Sequence, residues 1–298
     1  MTSKIELRRT RDFSEKINIS FEFTRQNLLP LSKALIYISG PFILLQGFFS
    51  GLYQNETLGR VTLGSMEMYD GSFNSFLWLG IAYVFIFLGY VSSLIVVYEY
   101  LRIYESRTND NPIEVSEVWK GIKENYFSMV GALLIMFIMS LLGLILLVIP
   151  AIYLAVVFSL IPPIMIIERL NFSDALSRSF RLITDKWWST FGLIFVMSII
   201  IAFMAMIFSI PQLIFTSLMD LHGVETINEI PLWQQAGMII SSVIYSFGAG
   251  ILQSLVLLAV AFQLYNLIER KEAKGLMSKL EAFGKVETKT SESANETF

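Results

Sequence analysis

The sequence is most informative in what it lacks: it has no cysteine, a single histidine (His222) and only 16% charged residues. Without cysteine there are no disulfides, thiolate metal ligands or thiol nucleophiles. His222 lies in a polar stretch, where we expect a solvated loop residue rather than a metal ligand or proton carrier. The first 30 residues contain no apolar run, which predicts no cleaved signal peptide. We therefore expect a non-enzymatic protein with no cofactor, no metal and no nucleic-acid partner.

Apolar residues, in contrast, are abundant, since 54% of the chain is hydrophobic and the mean hydropathy is +0.61. A helix that crosses a bilayer needs about 20 consecutive apolar residues, because its backbone groups have no partner in lipid except one another. Six stretches meet this requirement, and they predict a polytopic all-α membrane protein. They cover residues 34–53, 73–98, 129–149, 151–167, 190–216 and 238–267.

The third and fourth stretches are almost continuous, and their separation depends on length. Residues 127–167 would form a helix about twice as long as one crossing. We therefore predict two helices with a hairpin turn at Pro150. One long helix that leaves the membrane is the alternative.

The Lys and Arg residues are distributed unevenly between the two sides of the predicted spans. Of the 22 in the chain, only Arg60 falls on the side opposite the termini. Positively charged loops stay in the cytoplasm, so both termini are predicted to be cytoplasmic. The other side carries six acidic residues: Glu56, Glu67, Asp70, Asp220, Glu225 and Glu229.

Three segments that precede spans one, three and five share one pattern of apolar residues. The spacing places four positions of each on one face of a helix, with basic residues beside it. Such a helix is expected to lie flat among lipid headgroups. The matched positions are Val115, Trp119, Ile122 and Tyr126; Leu176, Phe180, Ile183 and Trp187; and Ile17, Phe21, Thr24 and Leu28.

This internal repeat predicts three parallel hairpins, each preceded by a cytoplasmic interfacial helix. The first copy also alternates like a strand, although Asp12 and Glu15 resemble a helix capping box. A basic aromatic anchor at the mouth of any apolar hairpin is the simpler explanation of the pattern. The predicted membrane domain spans residues 1–285, with repeats at 12–98, 110–167 and 171–267, an amphipathic segment at 268–285 and a disordered tail at 286–298.

Two groups of residues are candidates for function. The interfacial helices offer basic and aromatic side chains to anionic lipids of the inner leaflet or to protein partners in the membrane. These are Trp119, Lys120, Lys123, Arg178, Arg181, Lys186, Trp187 and Trp188. The second group is a candidate intramembrane polar site of Glu99, Glu168 and Gln253. The simpler prediction is that both carboxylates form ion pairs, locally or with a neighbouring repeat, and that the amide bonds to an adjacent helix.

Two further features concern the packing of the predicted spans. Small residues recur in span six (Ser242, Ser246, Gly250, Ser254) and in span one (Gly47, Gly51), as is typical of closely packed helices. The pair Pro162 and Pro163 removes two helical hydrogen bonds from span four. We expect either a helix end at the headgroups or a kink that exposes a polar pocket.

The stretch "PAIYLAVVFSLIPPIMIIERLNFSDALSRSFRLITDKWW" begins at Pro150. It resembles the signature of the bacterial superfamily that contains the membrane domain of glycerophosphodiester phosphodiesterases and related uncharacterised inner-membrane proteins. The resemblance implies a module of the bacterial inner membrane. It implies no hydrolase activity, because in that superfamily the activity belongs to a separate barrel domain of roughly 250 residues, which this sequence does not contain.

These observations lead to two functional expectations. The first is a scaffold or lipid-contacting subunit of a membrane assembly, based on the basic interfacial helices. The alternative is a small transporter or flippase for an amphiphilic substrate, since parallel repeats of hairpins occur in transporters.

Overall fold

A computed structural model describes residues 4–58, 73–107, 111–146, 148–221 and 231–273. Within these ranges every regular element is helical, as the sequence predicted. The helices are α1 Phe13–Gln26, α2 Leu28–Ile38, α3 Gly40–Leu58, α4 Phe73–Ser106, α5 Val115–Leu146, α6 Val148–Ser159, α7 Ile161–Ile167, α8 Phe172–Ile183, α9 Trp187–Leu221 and α10 Leu232–Glu272.

Five segments in the described part of the chain are long and apolar enough to cross a membrane: α4, α5, α6 together with α7, α9 and α10. The pair α2 and α3 makes a sixth if it is counted as one span. This pair was predicted as a single span at 34–53, but it is bent by 61°. Gly40 and Pro41 open α3 at the bend, and the first turn is where a helix best tolerates proline.

The helices α3, α4, α9 and α10 form a bundle, in which α10 packs against α3 and α9, and α3 packs against α4. Glycines in α3 determine how closely α3 and α10 approach each other. A Cβ atom on Gly47 would lie 2.7 Å from the Cα of Val243, and one on Gly51 would lie 2.7 Å from the Cα of Ile239. Small residues therefore allow the backbones of α3 and α10 to touch, as the stripes in spans one and six predicted.

The two ends of this bundle have different chemistry. One end, called here the ionic end, contains the C-terminal turns of α10 together with charged side chains such as Arg11, Lys16, Glu105 and Arg178. The opposite end, called the amide end, is joined by neutral side chains, among them Gln54, Gln212 and Gln234.

The second predicted interfacial segment is not a separate helix. Val115 to Leu146 form one continuous helix, because no residue between the amphipathic segment and the apolar run interrupts it. Residues 127–167 belong to two segments that are each long and apolar enough to cross a membrane, α5 and α6 with α7, which fits the predicted division; the hairpin arrangement stays a prediction. Helix α5 ends at Leu146 and α6 begins at Val148, so Pro150 belongs to the first turn of α6 instead of a hairpin turn.

The proline pair divides the predicted span four into two helices and does not mark the end of the span. Helix α6 ends at Ser159, and α7 begins at Ile161 with Pro162 and Pro163 in its first turn. Both prolines are buried. Across the break, the hydroxyl of Ser179 donates to the carbonyl oxygen of Val157 at 2.5 Å, which attaches α8 to α6.

The segments before the first and fifth spans are separate helices. In α1 the backbone N–H of Asp12 donates to Glu15 Oε2 at 3.0 Å, which confirms the capping contact and excludes the strand alternative. In α8 the side chain of Asn171 caps the helix by accepting from the N–H of Asp174. The tail 286–298, most of 268–285, His222 and Arg60 lie outside the described residues, so the predictions made for them stay predictions.

Candidate functional site

The junction between α8 and α9 exposes basic and aromatic side chains of the predicted set. Trp188 is 77% exposed, and Lys186 is also exposed. Trp187 is held more firmly, since its ring stacks on Tyr153 with the centroids 5.9 Å apart and its Nε1 donates to the carbonyl of Tyr153 at 3.3 Å. The structure thus brings together Lys186, Trp187 and Trp188 beside the first turns of α6.

Beside this junction lies a pocket of about 850 Å³, called here the junction pocket. Its walls come from the start of α6 (Ile149, Ile152, Tyr153) and from residues 184–189 and Phe191. Apolar side chains dominate the walls, while Lys186 and Asp185 lie at one side. In the described residues Lys186 has no carboxylate within ion-pair distance, whereas Asp185 lies 3.4 Å from Lys271 Nζ. The pocket therefore combines an apolar interior with an unneutralised ammonium group.

Arg178 does not belong to an exposed basic surface. Its guanidinium binds both carboxylate oxygens of Glu168, at 2.8 Å each, and also contacts Glu272 of α10. These hydrogen bonds raise the pKa of Arg178 further above its usual value. The predicted lipid-contacting role of Arg178 is therefore corrected: it joins α7, α8 and α10. The exposed arginine of the helix is Arg181.

Glu99 is almost fully buried at the contact between α4 and α5. Its carboxylate accepts from Arg102 Nε at 2.7 Å and from Asn125 Nδ2 at 3.0 Å. Gly121 of α5 makes room for it, because a Cβ atom there would lie 2.4 Å from Glu99 Cδ. Local pairing with Arg102 was predicted, and it leaves Glu99 as a packing residue.

Gln253 lines a half-open pocket of about 450 Å³ between α4, α5, α6, α9 and α10, called here the central pocket. Tyr98, Phe158, Pro162 and Leu257 are among its other walls. Neither Glu99 nor Glu168 borders it, since each is engaged in its own ion pair. The three residues predicted as one intramembrane polar site thus lie in three separate environments.

The predicted residues of the second copy lie in the first turns of α5. Trp119 is 44% exposed, and Lys120 and Lys123 are exposed as well. This part of α5 begins beside α4, where Arg107 Nη2 lies 2.7 Å from Glu117 Oε1. The structure therefore places these three residues on the surface of the ionic end.

A buried lysine is the main feature that the sequence did not reveal. Lys16 of α1 is only 2% exposed, and its ammonium group donates to Gln263 Oε1 at 2.7 Å and to Ser189 Oγ at 3.2 Å. Gln263 Nε2 in turn donates to Thr190 Oγ1 at 2.8 Å. Desolvation, followed by repulsion from Arg270, lowers the pKa of Lys16 to about 8. The amide of Gln263, within the predicted span six and near its ionic end, was the available signal.

The N-terminal residues 4–12, called here the N-terminal strap, also lie at the ionic end. Ile5 N–H donates to Tyr104 Oη, and Arg11 N–H donates to Asn266 Oδ1, both at 2.9 Å. The guanidinium of Arg11 is buried over the ring of Phe262. Desolvation is the largest cause of its lowered pKa. The charge count treated Arg11 and Lys16 as loop residues, but both are internal.

Two asparagines at matched positions of the first two predicted copies make matching contacts. Asn27 Nδ2 donates to the carbonyl of Phe23, four residues earlier, and Asn125 Nδ2 does the same to Gly121. Each also bonds to α4, where Tyr100 Oη donates to Asn27 Oδ1 and Glu99 accepts from Asn125.

The fold and this site define an all-helical protein whose long apolar helices can cross a membrane. No family model, curated protein or solved structure matches the chain. The resemblance described from the sequence stays a prediction.

Proposed function

We propose that the protein is a non-enzymatic lipid-contacting protein of the bacterial cytoplasmic membrane, with the junction pocket as a site for anionic phospholipid. The observation that carries the proposal is the combination of an 850 Å³ apolar pocket with the exposed Lys186 and Trp188 beside it. An acyl chain fits the apolar walls, and a phosphate group fits the ammonium group. The scaffold role expected from the sequence stays a prediction.

The position of the site in the bundle supports this proposal. Thr190, one turn into α9, contacts Gln263 of α10, whereas Gln212 of α9 contacts Gln54 at the amide end. About 33 Å of helix separates Thr190 from Gln212, close to the thickness of the hydrocarbon core. The side of the junction pocket that carries Lys186 and Trp188 is therefore expected at headgroup depth, where tryptophan and lysine side chains are favoured, with its apolar walls towards the acyl chains.

The orientation follows from the charge distribution. The described lysines and arginines outside the bundle interior lie at the ionic end, which we place on the cytoplasmic side. Anionic lipid in that leaflet would attract basic side chains by about 1 kcal/mol each. The matching contacts that Asn27 and Asn125 each make support the predicted internal repeat for its first two copies only.

The test measures retained anionic lipid. The protein is purified in mild detergent from membranes that contain phosphatidylglycerol and phosphatidylethanolamine, and bound lipids are counted by native mass spectrometry. Lys186→Gln is expected to lower the affinity for phosphatidylglycerol about fivefold, which corresponds to about 1 kcal/mol. Binding of phosphatidylethanolamine should not change.

Lys33→Gln is the matched control, because Lys33 is an exposed lysine of α2 that does not border the junction pocket. It should change phosphatidylglycerol binding less than twofold. An equal loss in both variants would mean that a general surface charge binds the lipid and that the pocket does not. Arg178 is unsuitable for this test, because its removal would disturb the ion pairs of α7 and α10.

The central pocket favours a second candidate, a transporter or flippase for an amphiphile. It contains the amide of Gln253 and serines from three elements (Ser140, Ser159, Ser198) within an otherwise apolar interior. The test uses a fluorescent phosphatidylethanolamine in proteoliposomes. Dithionite is added outside, and the measurement is how fast it bleaches the fluorescent lipid that started in the inner leaflet. If this function holds, Gln253→Leu abolishes lipid movement, while Gln212→Leu at the amide end leaves it unchanged. Equal rates in protein-free vesicles would exclude it.

A further inference from the structure

The segment from α5 to α7 begins at the ionic end of the bundle. Glu117, in the first turn of α5, is paired with Arg107 at the end of α4. The end of α4 belongs to the ionic end, because Glu105 accepts a hydrogen bond from Tyr265 of α10 at 3.0 Å.

The same segment also turns at the ionic end. Tyr153, in the second turn of α6, is hydrogen-bonded to Trp187, and Ile149 shares the junction pocket with Lys186 and Trp188. Residues 185–190 are fixed at the ionic end by the contacts of Asp185 with Lys271 and of Thr190 with Gln263. The turn between α5 and α6 is therefore close to the start of α9.

The segment finally ends there as well. Glu168, just after α7, is bound by Arg178, which also contacts Glu272 at the C-terminus of α10. Helix α5 has 32 residues, about 48 Å, and would reach the amide end if it ran parallel to α9. Its length permits a crossing, but its first turn and the start of α6 that follows it both make their contacts at the ionic end.

The composition of the turn fits a lipid environment. Between Ser140 and Ser159 the only polar side chain is that of Tyr153. Ile145, Val148 and Ile149 are 73%, 59% and 80% exposed. The predicted loops on the far side of the membrane, residues 54–72 and 217–237, are instead rich in polar residues. Pro150, in the first turn of α6, also removes one N–H that lipid could not satisfy.

We propose that α5, α6 and α7 form a re-entrant hairpin whose apolar turn is inserted among the acyl chains of the leaflet at the ionic end. Only α2 with α3, α4, α9 and α10 then cross the bilayer. Four crossings keep both termini on one side, so the predicted orientation is unchanged. The exposed apolar face of the hairpin is thus a surface for the lipid of one leaflet, and the protein occupies more area in that leaflet than in the other.

The chain contains no cysteine, so single cysteines can be introduced without background. Ile149→Cys marks the turn, Lys120→Cys marks the ionic end and Asn74→Cys, in the first turn of α4, marks the amide end. All three positions are exposed. The full-length variants are reconstituted in vesicles of phosphatidylethanolamine and phosphatidylglycerol. A membrane-impermeant maleimide then shows from each face which of the control cysteines is accessible.

The turn cysteine is also labelled with bimane, and a nitroxide lysolipid is added to one face at a time. We expect quenching of the bimane to be at least threefold stronger from the Lys120 face than from the Asn74 face. Maleimide labelling of Ile149→Cys from the Asn74 face, or stronger quenching from that face, would overturn the proposal in favour of two full crossings. Val148→Cys repeats both measurements if Ile149→Cys elutes as an aggregate. Neither readout depends on headgroup binding at Lys186, so this inference and the lipid site can fail separately.

Discussion

The ionic end and the amide end of the bundle are held together by different interactions. At the ionic end, charged groups from distant parts of the chain meet, as Arg178 does with Glu168 and Glu272. At the amide end, neutral amides meet over glycines, as Gln54 does with Gln212. A charge that faces a membrane end can be partly hydrated, whereas the interior of the bundle allows only close packing and neutral hydrogen bonds. The charged contacts of α8, the strap and the α5–α7 segment thus add to an apolar core that these segments share with α4 and α10.

The largest effect is expected where the backbones of α3 and α10 touch. Gly47→Leu should destabilise the protein by about 3 kcal/mol or prevent its folding, because the Cα of Val243 cannot move without separating the helices. Unfolding in SDS and elution in mild detergent measure this effect. Gly80→Leu is the control, because nothing lies within 4 Å of the position of its Cβ atom. Equal stability of the two variants would show that the close contact does not hold the bundle.

A smaller loss is expected at the ion pairs of the ionic end. Arg178→Met leaves Glu168 and Glu272 without their shared partner and should cost about 2 kcal/mol, less than a fully buried pair because these groups are partly exposed. Adding Glu168→Gln should recover part of the loss. Arg181→Met, an exposed arginine of the same helix, should cost less than about 0.5 kcal/mol. If added salt changed the stability losses of Arg178→Met and Gly47→Leu equally, the proposed difference between the two ends would be wrong.

Lys16 tests how the ionic end tolerates a buried charge. Because its pKa falls from 10.5 unfolded to about 8 folded, the unfolded chain binds more protons between these pH values. Stability in detergent should therefore rise as the pH increases from 8 towards 10. In Lys16→Met this rise should be smaller by about 1 kcal/mol, measured as the difference in melting temperature between pH 7 and pH 9.5. An unchanged slope would mean that Lys16 stays hydrated.

The smallest effect is expected for a neutral contact. Gln212→Leu removes the hydrogen bond to Gln54, whose oxygen keeps a contact from Ser242 Oγ at 3.3 Å. The loss should be about 1 kcal/mol, as for one interhelical hydrogen bond. It should not change between low and high salt in the same SDS assay. A salt-dependent loss would show that the amide end is not electrostatically neutral.

Local signals in the sequence predicted much of the secondary structure. The capping residues Asp12 and Glu15 identified α1, and the length of residues 127–167 identified two helices. The bend at Gly40 was missed because hydropathy does not register a change of direction, although the adjacent Pro41 was a usable signal. The amphipathic and apolar parts of α5 were predicted as two helices but form one, because an amphipathic pattern does not show where a helix ends.

The site residues were predicted less completely. Lys186, Trp187 and Trp188 were chosen for their residue types and do lie together. Glu168 was expected to pair locally or with a neighbouring repeat, without a named partner, and its partner is Arg178 of α8. The backbone of the adjacent Arg169 is left-handed, with φ of 54°. Lys16 was counted only as a positive charge on the side of the termini, because a residue count cannot show which side chains are buried against Gln263.

The sequence by itself determined that this is a helical protein with long apolar segments, where those segments lie and that its positive charges collect on one side. These properties depend on the transfer free energy of each side chain and on hydrogen bonding within a helix. Both are determined by residues that are close together in the sequence. Only the tertiary structure decided which end of the bundle the turn at Val148 approaches, which acid binds Arg178 and that Lys16 is enclosed. Those outcomes depend on packing between residues far apart in the chain, where helices of similar hydropathy can be arranged in more than one way.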